Sequence, residues 1–368
     1  MPKPETAQGM VGKTEKLAGS VVLLFLFIST LSSGVAKAEP YLAARTKNKC
    51  GQCHVNRTGG GMRTPYGFVY SFTQLAAAHI RTDKSTLFDP NLNENIRLGV
   101  NFRYSRIFNF GAKDSAGAKS NPQDDFAIPE ANLYVQTRLI EDRVTLYLDQ
   151  RVSEGALTRE LFLLWEKLPG NGYFKAGRTL LPYGLRLLDD ESFVRQETNY
   201  HYDRHDLGIE IGLEPGQFSL VGSLTEDNFS AVSYYIWRGI RAGVSFARNT
   251  SKSDDYTWGG FGTLVAGRFT LLGEIDFIDQ EGVKKRAYFS ELDLLLRRGI
   301  NLKVVYDLFD RNIKIPLDRD GQERVTIGLE TFPIQFFQVG LFYRFNSFIP
   351  QNISGNEDQA EIQFHLFF

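Results

Sequence analysis

From about Asn95 to the last residue the chain alternates apolar and polar side chains, and this period of two leaves few folds open. Ile96, Leu98, Val100, Phe102 and Tyr104 alternate with Arg97, Gly99, Asn101, Arg103 and Ser105. Val144, Leu146 and Leu148 alternate with Thr145, Tyr147 and Asp149, and Phe269, Leu271, Ile275 and Phe277 oppose Glu274 and Asp276. Leu302, Val304, Tyr306 and Leu308 stand opposite Lys303 and Asp307. Successive side chains of a strand point to opposite faces, so each run predicts a strand with one apolar and one polar face.

About sixteen such runs occur, and their connections alternate in length. Tight links at Glu141-Asp142-Arg143, Pro169-Gly170-Asn171-Gly172, Glu214-Pro215-Gly216, Arg238-Gly239, Gly267 and Arg298-Gly299 are separated by longer polar ones. The longer links are Gly111 to Asp124, Leu181 to Asp206, Asn249 to Asp254, Arg311 to Glu323 and Ile349 to Asp358. That asymmetry predicts an all-β, transmembrane antiparallel barrel of about sixteen strands, with short periplasmic turns and long external loops. A soluble sandwich has no need of it. Closure also removes the sheet edges that so many strands would otherwise expose.

The charges fit this fold. Arg103, Asp149, Glu274, Asp276, Glu291, Asp293, Lys303, Asp307 and Arg344 fall on the face away from the apolar one. Facing lipid, a midplane Arg or Lys costs about 2–4 kcal/mol, so these side chains are expected in the lumen. A barrel of about sixteen strands is wide enough for an aqueous channel. The terminal EIQFHLFF puts Ile362, Phe364, Leu366 and Phe368 on one face, resembling the C-terminal strand signal of bacterial outer-membrane proteins.

Export is written at the other end. Lys13 and Lys16 precede the apolar run Val21 to Ile28, and Ala36-Lys37-Ala38 follows as an A-x-A cleavage site, predicting a signal peptide over residues 1–38. A formal charge of -1 gives no support to a nucleic-acid partner.

The two cysteines, Cys50 and Cys53, stand in KNKCGQCHVN with His54 directly behind them. A disulfide here would close a tiny, strained loop. Zinc would need further ligands, and no strand-helix context supports a thioredoxin-like pair. The remaining chemistry is c-type haem attachment: two thiols for the two vinyl groups, and an imidazole beneath the iron. One covalent haem c is expected, bound by Cys50, Cys53 and His54 in a small, mainly helical or irregular domain over residues 39–91. The barrel then occupies 92–368. Met62, eight residues past His54, and His79 are the two candidates for the sixth iron ligand. A Met raises the potential. Imidazole and carboxylate groups in Leu181 to Asp206 suit ferrous iron, with His201, Asp203, His205 and Asp206 as candidate ligands. The same segment also reads as a solvated loop or as a constriction loop folded into the pore.

This order of parts resembles the fused outer-membrane monohaem cytochrome c–porin family known from iron-oxidising bacteria. The resemblance is carried by Pro40, Ala44-Arg45, Cys50-Gly51-Gln52-Cys53-His54 and Thr64-Pro65-Tyr66-Gly67. Phe68 stands where that family commonly has a basic residue, and Gly59-Gly60-Gly61-Met62 lies outside the shared pattern. The resemblance implies a haem domain set in or at the barrel lumen of an outer-membrane protein. Such a protein carries electrons between an extracellular donor or acceptor, such as iron, and periplasmic c-type cytochromes. An iron:cytochrome oxidoreductase activity would follow from that role, although a carrier fits better than a turnover enzyme. Two other functions compete: a diffusion porin with a haem-bearing plug, and a haem peroxidase-like enzyme with an open iron position.

Overall fold

The computed structural model describes residues 40–79, 89–111, 122–153, 155–187, 189, 191–250, 255–348 and 357–368. The expected signal peptide lies outside them. Sixteen antiparallel strands form one closed barrel in which each strand pairs with its sequence neighbours and β1 closes on β16. In chain order they are β1 (Ile96–Phe110), β2 (Gln123–Ile140), β3 (Val144–Arg151), β4 (Leu157–Leu168), β5 (Gly172–Leu180), β6 (His205–Leu213), β7 (Phe218–Thr225) and β8 (Asn228–Trp237). The second half comprises β9 (Ile240–Asn249), β10 (Tyr256–Ala266), β11 (Phe269–Gln280), β12 (Val283–Arg297), β13 (Ile300–Asp310), β14 (Gly321–Ile334), β15 (Phe337–Phe348) and β16 (Asp358–Phe367).

The alternation read from sequence is the register of this barrel. Leu133, Ile211 and Val244 on the outer face are 48%, 53% and 62% exposed, whereas Arg103, Asp149, Lys303 and Arg344 are at most 1% exposed. A closed sheet satisfies its backbone groups internally, and its outward apolar belt is the surface that lipid covers. The inner charges are paired across strands: Lys175 with Glu210 at 2.9 Å, Lys303 with Glu330 at 2.9 Å, and Arg344 with Glu361 at 2.7 Å.

The lumen departs from the wide aqueous channel that the strand number predicts. Two segments fill it. From the end of the short turns enters a plug, residues 40–79. It consists of α1 (Pro40–Thr46), α2 (Cys50–Cys53), α3 (Pro65–Tyr70) and a π-helical turn, Ser71–Leu75. The second is the link between β5 and β6, whose residues Leu181, Tyr183, Leu185, Leu187, Phe193, Val194 and Tyr202 are all buried. Its short helix α4 (Phe193–Gln196) packs against β11, β12 and β13. Of the readings open for this link, the constriction loop is the one the fold adopts. A last short helix, α5 (Leu317–Asp320), precedes β14.

Candidate functional site

The plug is fastened to the wall by side chains on both sides. Tyr41 Oη donates to Glu330 Oε2 at 3.1 Å, and Arg45 donates to Thr270 Oγ1 at 2.9 Å and Asn301 Oδ1 at 2.6 Å. Lys49 Nζ donates to the carbonyls of Glu214 and Phe218 at 2.9 and 2.6 Å. Asn56 Nδ2 donates to both oxygens of Glu160, at 2.7 and 2.9 Å. Arg57 pairs with Glu214 and, at 3.2 Å, with Glu166. Glu214 and Phe218 flank the β6–β7 turn, which sets this end of the plug at the short-turn mouth.

Within the plug the local sequence explains the local shape. Cys50 and Cys53 sit on the single turn of α2, three residues apart, and neither is bonded to the other. The chain then doubles back in a hairpin: Val55 N donates to Met62 O at 2.9 Å, and His54 pairs with Arg63. Gly59, Gly60 and Gly61 make its tip at φ values of 99, 83 and 66°, a region in which only glycine is unstrained. A Cβ on Gly60 would lie 2.5 Å from the Tyr202 ring. The Thr-Pro-Tyr-Gly element is a helix start: Thr64 Oγ1 accepts from Gly67 N at 3.1 Å, with Pro65 in the first turn. Its glycine permits contact with α2, because a Cβ on Gly67 would stand 2.2 Å from the Cys53 carbonyl oxygen.

Cys50, Cys53 and His54 all line one cavity between the plug, the wall and the β5–β6 link. Space open to solvent included, it spans about 1570 Å³. Leu42, Tyr70, Tyr183, Leu185, Tyr234 and Phe261 give it apolar walls. His54 Nδ1 lies 3.3 Å from the Gly61 carbonyl. That oxygen can only accept, so Nδ1 carries the proton and Nε2 keeps its lone pair, the tautomer a metal-binding imidazole adopts. Burial pushes His54 down to about 4 and Arg63 adds to it, leaving a neutral ring at pH 7. Burial also pushes the Cys53 thiol up, with Cys50 beside it adding to the effect. Two thiols on one cavity, a neutral imidazole open to it and a glycine tip against it are a donor set that fits a covalent haem.

The candidate sixth ligands lie elsewhere. Met62 is 1% exposed and packs outside the cavity lining, its Cγ at the barrel wall by Gly99. His79 is exposed at the short-turn mouth, bonded to Arg298 Nη2 at 2.6 Å and to the Gln335 side chain at 2.9 Å. Neither side chain reaches the cavity that His54 opens on. The second imidazole that does line it is His365 of β16, with Nδ1 2.7 Å from Gln338 Oε1 and Nε2 2.6 Å from Asn101 Oδ1. In the sequence it is one polar position among many in the last strand.

The four iron-site candidates of the β5–β6 link do not converge. Asp203 is paired with Arg151 at 2.7 Å, and Asp206 accepts from Thr225 Oγ1 at 2.5 Å and Asn228 Nδ2 at 3.1 Å. His205 packs against Arg178, and His201 Nδ1 accepts from Asp203 N at 3.3 Å. Among the described residues no group of three or more His, Cys, Asp or Glu side chains is placed to hold a metal ion. Each carboxylate has been taken up by a local partner.

Arginines complete the cavity, and of these the sequence singled out only Arg103, as a lumen-facing strand residue. Arg57, Arg63, Arg103, Arg159, Arg186 and Arg241 line it, against one lining carboxylate, Glu130. Arg159 reaches Glu130 at 3.0 Å, whereas Arg103 stays 3.6 Å away. Arg63 lies over the Phe367 ring at 4.1 Å, a contact worth about 0.5–2 kcal/mol. Burial, with Arg103 contributing, pushes its guanidinium down to about 10.

No family description matches the sequence, and no curated protein does. Solved structures do match. The chain is similar to the outer-membrane OmpT of Vibrio cholerae, with 10% identity and a TM-score of 0.53 over 76% of this chain and 100% of that one. The anion-selective porin of Comamonas acidovorans aligns with 11% identity and a TM-score of 0.57, covering 74% and 99%. OmpF of Salmonella typhi, solved with daunomycin, gives 12% and 0.55, covering 74% and 98%. At such identities the likeness is one of fold, the fold of outer-membrane porins.

Proposed function

We propose that this protein is a porin-fold barrel closed by its own N-terminal plug, and that the plug carries one covalent haem c for electron transfer. The barrel spans the bacterial outer membrane, its apolar belt in lipid. One observation carries the haem reading: Cys50, Cys53 and His54 converge on a single cavity. Held by thioethers from Cys50 and Cys53 with His54 on iron, a haem supplies a one-electron redox couple. The chain's own part is to hold His54 in the Nδ1–H tautomer, to exclude water with the β5–β6 link, and to surround the site with guanidinium groups. A membrane's apolar band of about 25 Å blocks electrons, so a cofactor inside the lumen is the means to cross it. Electrons then pass between an extracellular donor or acceptor, such as iron, and a periplasmic c-type cytochrome.

The fold likeness favours a second reading, a diffusion porin whose N-terminal segment is a plug. It supports this reading more directly than the first, since a barrel is all that the likeness consists of. Two measurements on the purified, detergent-solubilised full chain decide. A pyridine haemochrome spectrum with covalent haem, reduced by Fe(II) in stopped flow and silent in planar bilayers, upholds electron transfer. Absence of covalent haem together with steady ion conductance establishes the porin. A six-coordinate, low-spin spectrum would remove the peroxidase-like alternative, which needs an open iron position.

A further inference from the structure

We infer that Arg63 and Arg103 form a binding site for an oxyanion in the cavity, which on the haem reading above is the carboxylate of a haem propionate. The inference rests on that reading for the identity of the ligand. The site itself rests on charge placement. Arg103 of β1 stands in register with His365 of β16 on one side and Glu130 of β2 on the other. Gln338 of β15 pairs with His365 in turn, so Gln338, His365, Arg103 and Glu130 form one row on the inner wall. Arg63 comes from the plug, across the hairpin from His54, and lines the same cavity.

The row has too little negative charge. Glu130 already accepts from Arg159 and from Asn101. Asp149, at 3.7 Å, is nearest to Arg159 as well. Three guanidiniums, Arg63, Arg103 and Arg159, therefore share two carboxylates, and both carboxylates lean toward Arg159. Arg103 is 1% exposed, and its Nε and Nη1 have no hydrogen-bond partner among the described residues. Arg63 has no carboxylate partner among them and rests on the Phe367 ring. Arg186 and Arg241 also lack a carboxylate among the described residues, but Arg186 donates to Thr58 Oγ1 and Leu181 O, and Arg241 to Asn48 O. What fits between Arg63 and Arg103 is an acceptor with two oxygens, because a planar guanidinium presents paired N–H donors that match a carboxylate or phosphate.

Both residues would be positioning residues for the ligand, and the test reads a property that packing alone would not move. Using the haem-loaded full chain, the reduction potential is measured from pH 5 to 9 for wild type, R63Q, R103Q and R63K, with folding checked by heat-modifiable gel mobility. Removing a cation beside a propionate stabilises the oxidised haem and raises the propionate's own titration. R63Q and R103Q are therefore expected to shift the redox equilibrium about tenfold toward the oxidised form, about 59 mV for one electron. The bend in the pH profile should move to higher pH, and R63K should restore most of the shift. Profiles for R63Q and R103Q that overlay the wild type overturn the inference while leaving the haem reading intact. Should R103Q misfold, R63Q decides alone, since Arg63 lies on the plug and not in a strand. Should the native chain carry no haem, the haem reading fails and inorganic phosphate becomes the probe. Calorimetric binding of phosphate that R63Q abolishes upholds the oxyanion site, and no binding overturns it.

Discussion

Two segments fill the lumen of this barrel, and they differ in what they present to the cavity between them. The β5–β6 link is a miniature apolar core: Leu185, Leu187, Phe193 and Val194 pack inside the barrel's own cluster, and Tyr183 stacks on Tyr200 at 4.6 Å. It is pinned by the buried Arg195–Glu274 ion pair, and Leu185 N donates to the same carboxylate at 2.8 Å. The plug adds polar fastenings from Arg45, Lys49, Asn56 and Arg57 to its own apolar contacts, with Tyr41, Val55 and Met62 in the same cluster and Leu75 packed with Phe332, Phe336 and Phe367. Its interior-facing side instead presents thiols, an imidazole and glycines to a cavity. One insert behaves as a partition and the other as a holder. A partition can be built from shape and burial, while a holder must keep reactive groups open to a space.

The sharpest way to break this contrast is to remove the holder's chemistry. On the haem reading proposed above, replacing Cys50 and Cys53 together by Ala should abolish covalent haem, read as a lost haemochrome band, while the barrel still migrates as a folded, heat-modifiable species. Loss of the folded band would mean that the plug is as structural as the link.

Next in size is the partition. Arg195→Ala leaves Glu274 buried without its cation, which should cost about 3–5 kcal/mol. Urea unfolding of the detergent-solubilised protein should show an earlier midpoint with haem content unchanged. An unchanged midpoint would show that the link is a passenger.

A smaller effect is expected at the hairpin tip that joins the two. Gly60→Ala forces a Cβ to 2.5 Å from Tyr202 at a φ of 83°, and strain of this kind costs about 1–3 kcal/mol. Since Gly60 belongs to the plug and Tyr202 to the link, the haem absorption maximum should shift as well as the unfolding midpoint. A spectrum identical to wild type would separate the two inserts.

The smallest effect concerns acid. Burial holds His201 below its ordinary value of 6.5, with Asp203 opposing the shift. As pH falls below about 6.5, the unfolded chain takes up a proton that the folded chain refuses, so stability declines with acid in that window. His201→Gln should flatten the decline in a series of unfolding curves. A decline of the same steepness would clear His201 of the effect.

Much of the fold could be read from the sequence. The strand count, the short turns, and the inward direction of Asp149, Glu274 and Lys303 all follow from a period of two, because a one-residue slip would turn every charge into lipid. The Cys50, Cys53 and His54 spacing is local too, and the sequence therefore places these three side chains together, which the structure does on one cavity. The site around them was not legible. Arg63 and Arg103 are 40 residues apart in sequence, and His365 lies far beyond both. The expectation of Met62 or His79 as sixth ligand assumed that nearness along the chain means nearness to the cavity, whereas the hairpin turns Met62 to the wall. The iron ligands of the β5–β6 link failed differently: Arg151, Thr225 and Asn228, on other strands, had already engaged Asp203 and Asp206. The link's destination did leave a trace, for Leu181, Tyr183, Leu185, Leu187, Phe193 and Val194 are too apolar for a loop in water.

By itself the sequence determined a barrel, its inside and outside, and one local Cys-x-x-Cys-His cluster, because alternation and spacing act between residues a few positions apart. Only the tertiary structure decided that the lumen is filled, which groups surround His54, and which charges are left over. Those outcomes depend on contacts between segments joined by long stretches of chain, where the partners are chosen by closure of the barrel and by what must be buried together.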